Sequence, residues 1–204
     1  MAQESPPSAR PGLLARLRAR AGVFFEFGLI IVGALLALAL DDWRENAERA
    51  ERDRVVLELV STEMAANRSL LETGSTYHED MMGPITESAA RMVSDNVFSV
   101  PEGWTGVQPI LLTRSAFDLA VNSGVLARMP ADASLALSQV YEAMDDAERR
   151  RNNIQLVTLQ TDFTDGVRYL RLQQEGVRSE LEATRDLVPL LIAAERVVRP
   201  DGGQ

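Results

Sequence analysis

Residues 21–40 read AGVFFEFGLIIVGALLALAL, with the basic run RLRAR before them and DDWREN after them. As a helix rising about 1.5 Å per residue, twenty residues reach about 30 Å, the thickness of a bilayer's hydrocarbon core. Glu26 is the only charge in the run. The Val, Phe, Leu and Ile residues contribute roughly −5 kcal/mol to insertion, against a penalty below about 3 kcal/mol for an acid near one end. A single-pass transmembrane helix over 21–40 is therefore expected. The rival is a cleaved signal peptide, because Ala37-Leu38-Ala39 has the small-x-small form of a cleavage site. The run is longer than an ordinary signal core and the residues after it read as uninterrupted helix, which favours the anchor.

Orientation follows from the flanks. Arg10, Arg16, Arg18 and Arg20 on one side balance Arg44, Arg49, Arg52 and Arg54 on the other. Proximity breaks the tie, since Arg20 abuts the apolar run on one side and Asp41-Asp42 on the other. The expectation is a cytoplasmic N-terminus in the inner (plasma) membrane and a C-terminal domain outside it, periplasmic in a Gram-negative cell.

Outside the anchor the chain is acidic. Residues 1–40 hold four Arg and two acids, leaving 17 Arg against 28 acids in 41–204, which argues against nucleic acid or anionic lipid as the outer domain's partner. There is no Cys, so disulfides, thiolate metal sites and a Cys nucleophile are excluded.

Helical periodicity organises the remainder. Residues 1–20 read as a disordered, basic cytoplasmic tail. Trp43, Ala47, Ala50, Leu57, Val60, Met64 and Leu71 recur at helical spacing, predicting a juxtamembrane amphipathic helix over 41–72. A bundle domain over 73–199 follows, and 200–204 form a flexible tail. Within the bundle, Gly74 is expected to interrupt the helix and Gly83-Pro84 to kink its successor, with a loop marked by Pro101, Gly103, Gly106 and Pro109. Thr113 or Ser115 would cap a short helix ending at Gly124. Pro130 and Asp132 open a helix to about Thr161, and a last one runs over 163–198, interrupted at Gly176 and Pro189. No stretch alternates with period two. The fold class is all-α, one transmembrane helix continuing into a bundle of four or five helices.

Glu26, Gly33, Ala37 and the stretch Leu40-Asp41-Asp42-Trp43-Arg44-Glu45 resemble the N-terminal signature of an uncharacterised bacterial family of single-pass membrane proteins. There a Glu opens the apolar helix, Gly and Ala follow seven and eleven residues on, and two Asn or Asp residues precede Trp. Phe117, Ser123-Gly124-x-Leu126 and Tyr141 are similar to that family's second pattern, although Asp41-Asp42 replace the commoner Asn and Phe117 the commoner Trp. The resemblance implies a membrane anchor with a helical domain and brings no catalytic residues.

Gly22, Glu26, Gly33 and Ala37 fall on one helical face, where small residues admit a second transmembrane helix and Glu26 accepts a hydrogen bond from it. A homo-oligomer and a membrane-protein partner both fit. The plainer reading has Glu26 reaching the headgroups. Trp43 is an interface anchor. Phe98 and Trp104, in the loop 97–109, are the candidate outer partner contact, set against a loop tucked onto the bundle. His78, Met81 and Met82 share a face that could hold Cu(I), or zinc with nearby carboxylates, yet one His makes a poor ligand set and packing explains the methionines. No nucleophile elbow or phosphate loop occurs, and Asp145-Asp146 and Arg149-Arg150-Arg151 read as solvated or ion-paired faces. The expectation is a non-enzymatic, membrane-anchored interaction or scaffold module without cofactor. The alternative is a periplasmic metal handler or hydrolase using the His78 face.

Overall fold

The computed structural model describes residues 13–161 and 165–198, with side chains in the first helix from residue 29 onward. The described residues are all-helical, with five helices and no strand: α1 (Leu13–Asp95), α2 (Ser115–Asn122), α3 (Val125–Arg128), α4 (Ala131–Gln160) and α5 (Gly166–Val198). They divide into two compact units, Met1–Arg52 and Asp53–Gln204.

In the first unit every described side chain, from residue 29 to residue 52, is exposed. Leu29, Ile30, Val32, Leu35, Leu36, Leu38 and Leu40 have no tertiary cover. Past the apolar run the surface becomes ionic, with Arg44 pairing Glu48 and Arg49 pairing Glu45 at i,i+4 spacing. Among the described residues no helix is long and apolar enough to cross a membrane; only 29–40 of the run 21–40 has described side chains.

The second unit is built on three long helical stretches. Arg68 pairs with Glu195, Thr86 accepts a hydrogen bond from Gln174, and Met92 meets Gly166, so α5 runs antiparallel to α1. Glu63 meets Tyr141 and Asn67 meets Met144, so α4 runs parallel to α1. Their shared core contains Val60, Met64 and Leu71 of α1, Leu137, Tyr141 and Met144 of α4, and Leu187 and Leu191 of α5. These positions repeat at helical steps of three, four and seven, which is why each helix turns one apolar stripe inward.

The fourth side of this unit is not a helix. After Asp95 the chain returns along α1 as an irregular strap, residues 96–114, before α2 and α3 complete the return. Phe98 lies by Tyr169, Trp104 stacks on Tyr77, Ile110 touches Gly74, Thr113 bonds Asn67, and Arg128 pairs with Asp53.

The expected interruptions at Gly74, Gly176 and Pro189 do not end a helix. α1 passes through Gly74 and Gly83-Pro84, and α5 passes through Gly176 and Pro189. The prolines are exposed, so the carbonyl groups they orphan one turn earlier can meet water. The glycines serve contact instead. A Cβ on Gly74 would stand 2.7 Å from Cγ1 of Ile110, and one on Gly176 would stand 2.7 Å from Cγ2 of Val107. Neither Thr113 nor Ser115 is the cap residue of α2; Arg114 holds that position without a side-chain bond. Gly124 does end the α2 turn, at φ +71°. Phe163 lies outside the described residues.

Helix propensity and packing make opposite demands at two of these glycines. Gly83→Ala, with nothing within 4 Å of the new methyl beyond its chain neighbours, should raise thermal stability by at most about 0.5 kcal/mol, because the Pro84 ring crowds a helical Cβ on the residue before it. Gly176→Ala should lower it by about 1–2 kcal/mol, because the stiff Val107 side chain must move. Circular-dichroism melts of the full chain in detergent check both signs.

Candidate functional site

Because the strap is not helical, its backbone groups need partners from elsewhere, and polar side chains of the long helices supply them. Asn67 donates to the Thr113 carbonyl at 2.7 Å and accepts from the Thr113 N–H at 2.9 Å, as a neighbouring strand would. The Tyr77 hydroxyl donates to the Gly106 carbonyl and accepts from the Thr105 N–H. Arg151 donates to the Ile110 carbonyl at 2.8 Å. Glu63 accepts from the backbone N–H groups of Ala116 and Phe117, from the Ser115 hydroxyl and from the Tyr141 hydroxyl. A carboxylate from α1 thus caps α2 in place of a local side chain. Burial, and then the bond to Glu63, push the Tyr141 phenol above its ordinary value. Its ring stacks on Phe117 with centroids 4.0 Å apart. The two aromatic positions of the second sequence pattern therefore meet in space.

Where the strap crosses α4 and α5, a half-open cleft of about 170 Å³ remains. Val107 and Pro109 of the strap, Ile154 and Thr158 of α4, and Leu172, Gln173, Gly176 and Ser179 of α5 line it. Arg151 and Glu180 form its charged wall. Nε and Nη2 of Arg151 reach the two Glu180 oxygens at 2.6 and 3.1 Å, and the Glu180 side chain is only 2 % exposed. Gln173 is 7 % exposed, and its amide atoms are open to the cleft rather than sealed in the core.

His78 belongs to the same neighbourhood. It is fully buried, and neither ring nitrogen has a partner in hydrogen-bond geometry. Burial holds its pKa below 6.5; Glu180 and the backbone at Gly74 and Gln108 oppose that shift, and Arg151 adds to it. The backbone groups are thus near enough to favour a proton without binding the neutral ring. His78 is a neutral buried base with Met81 and Met82 half-buried beside it. No group of three or more His, Cys, Asp or Glu residues placed to hold a metal occurs among the described residues.

The other candidate residues are dispersed. Gly22 and the Glu26 side chain lie outside the described side chains, while Gly33, Ala37 and Trp43 are exposed. Trp104 is half-buried against the minor core of Ile85, Ala89 and Leu170, a tucked connection, whereas Phe98 stays half exposed near Tyr169. Asp146 pairs with Arg149, and Asp145 with Arg114. Sequence reading passed over Glu63, Asn67, Gln173 and Glu180. The signal for the first two was their place on the stripe of Val60, Met64 and Leu71, where a polar residue must find partners inside.

Comparison of the chain with family models, with curated proteins and with solved structures found no match.

Two predictions follow from this chemistry. Arg151→Met or Glu180→Met alone should each cost about 3–5 kcal/mol by leaving a buried charge unpaired, and the double variant should recover only part of the loss, because the Ile110 carbonyl still lacks its Arg151 donor. Urea unfolding of the four proteins of the cycle gives the coupling. For His78 the unfolded chain takes up a proton near pH 6.5 that the fold resists until lower pH. Its stabilising contribution is full above pH 6.5 and declines below it, with a ceiling of about 1.4 kcal/mol per pH unit. His78→Gln should remove that slope between pH 7.5 and 5.5 in denaturation midpoints.

Proposed function

We propose that the chain is a membrane-anchored helical interaction or scaffold module of the bacterial cell envelope, without catalytic activity of its own. The observation that carries this reading is the bare apolar surface of residues 29–40. Eight large aliphatic side chains there, Leu29 through Leu40, are between 44 and 68 % exposed. A helix apolar on all sides has no stable place in water and fits a bilayer. Residues 29–40 account for about 18 Å of helix. Residues 21–28 preceding them, apolar apart from Glu26, extend the run to bilayer thickness.

The reading continues from the anchor outward. Gly22, Glu26, Gly33 and Ala37 form the face that meets a second transmembrane helix, either of another copy or of a partner, and Trp43 sits at the interface. The acidic bundle stands outside the cytoplasm. Phe98, half exposed beside Tyr169, is the aromatic available to an outer partner. The metal or hydrolase alternative gains nothing from the geometry, because His78 offers no exposed nitrogen to a metal or substrate.

Ser138, exposed on α4, is the place for one introduced cysteine in a chain that has none. Ser138→Cys should stay in the membrane fraction through an alkaline carbonate wash and react with an impermeant maleimide in intact cells. Release by the wash would overturn the anchor; labelling only after lysis would overturn the orientation. Glu26→Leu should keep the protein in the membrane while reducing self-association or partner co-purification. Unchanged association would sink the transmembrane contact.

A further inference from the structure

The cleft between the strap, α4 and α5 has a composition that selects a class of ligand. Val107, Pro109, Ile154 and Leu172 give it apolar walls, with Gln155 and Thr158 also on the α4 side. Its only charged groups among the described residues, Arg151 and Glu180, bond each other through both carboxylate oxygens, so the site presents no net charge to a ligand. Gln173 is more than nine-tenths buried, lines the cleft, and leaves one acceptor and two donor hydrogens unused among the described residues. Ser179, also in the wall, adds a hydroxyl. The amide atoms of Gln173 are open to the cleft rather than sealed in the core, and a ligand group that meets both must donate and accept at once. The volume of about 170 Å³ admits a molecule of roughly benzene size with one polar substituent.

We infer that this cleft is a binding site for a small neutral amphiphile, an aromatic or aliphatic body carrying a primary amide, with Gln173 as the recognising residue. Paired donor and acceptor on the ligand match those of Gln173, while the apolar body displaces water from Val107, Ile154 and Leu172. Carboxylates and ammonium ions are disfavoured, because either would compete with an ion pair already closed and bring an uncompensated charge against the cleft's apolar walls. The strap forms one wall, so occupation also ties residues 107–109 to α5. The site lies within Asp53–Gln204 and does not depend on the anchor.

The test uses the full chain in detergent micelles, labelled with ¹⁵N at glutamine side chains, with the Gln173 amide assigned by its disappearance in Gln173→Glu. Benzamide is the probe. The Gln173 signal should shift saturably with Kd about 1 mM, as expected for a ligand of this size, while exposed Gln139 stays still. Benzoate and benzylamine should bind at least tenfold more weakly. Gln173→Leu, followed through the ligand's own saturation-transfer signal, should weaken benzamide about fivefold or more. Ile154→Trp, which fills the cleft while leaving Gln173 in the chain, should abolish the shift. Shifts that rise linearly at Gln173 and Gln139 alike would overturn the site. Equal affinity for the three probes, or for wild type and both variants, would overturn the recognition.

Discussion

A stretch of backbone that enters a helical bundle without itself coiling brings in N–H and C=O groups that no ladder satisfies. Between Thr105 and Phe117 those groups are met by side chains: Tyr77 at 105 and 106, Arg151 at 110, Asn67 at 113, Glu63 at 116 and 117. Each helper stands on a long helix whose own backbone is already bonded, so its side chain is free for the purpose. The three long helices cannot close their core on this side without the strap. The strap cannot lie there without these residues. Net gains per hydrogen bond are modest, about 1 kcal/mol, but the cost of stranding any one group in the interior is larger. The arrangement therefore specifies one register for the strap more than it adds stability.

That constraint reaches the choice of small residues. An extended segment running against a helix needs a close approach, and Gly74 and Gly176 provide it where Ile110 and Val107 press in. The same glycines sit inside helices, where they cost about 1 kcal/mol each in propensity. Packing outweighs propensity, so the helices continue through them. Pro84 and Pro189 survive for a different reason, since both lie on exposed faces and strand no buried carbonyl group.

Periodicity made the long helices legible because an amphipathic stripe is a property of neighbours in sequence. The α4 boundaries fell within a residue of those expected from Pro130 and Thr161. Gly74 and Gly176 were misread as interruptions because a glycine that ends a helix and one that admits a neighbour look alike without knowledge of the neighbour. Residues 97–109 were legible as a loop from their prolines and glycines, but their path along α1 was not. Path is set by pairs such as Asn67 with Thr113 and Glu63 with Phe117, more than forty residues apart, and no local pattern encodes them. Among the site residues, Arg151 was read as solvated or acid-paired and proves to be paired. Glu180 and Gln173 carried no local mark that set them apart from other polar helix residues.

Against this background of satisfied groups the exceptions have meaning. Glu63 and Asn67, deep in the unit, have their partners, while the His78 ring does not, and it lies near the Arg151–Glu180 pair where strap residues 106–109 pass and the Gln173 amide faces the cleft. Ser88, with the other unpartnered buried atom among the described residues, stands further along α1 by the minor core. A chain able to furnish four donors to one carboxylate has the means to complete an amide or an imidazole. Filling the cleft with a larger aliphatic residue at Ser179 or Thr158 would have sealed it. Instead the ion pair is held closed, its charge cancelled, beside an open amide. A site kept neutral, with an amide open to it beside a closed ion pair, favours a small neutral ligand whose own donor and acceptor complete that amide.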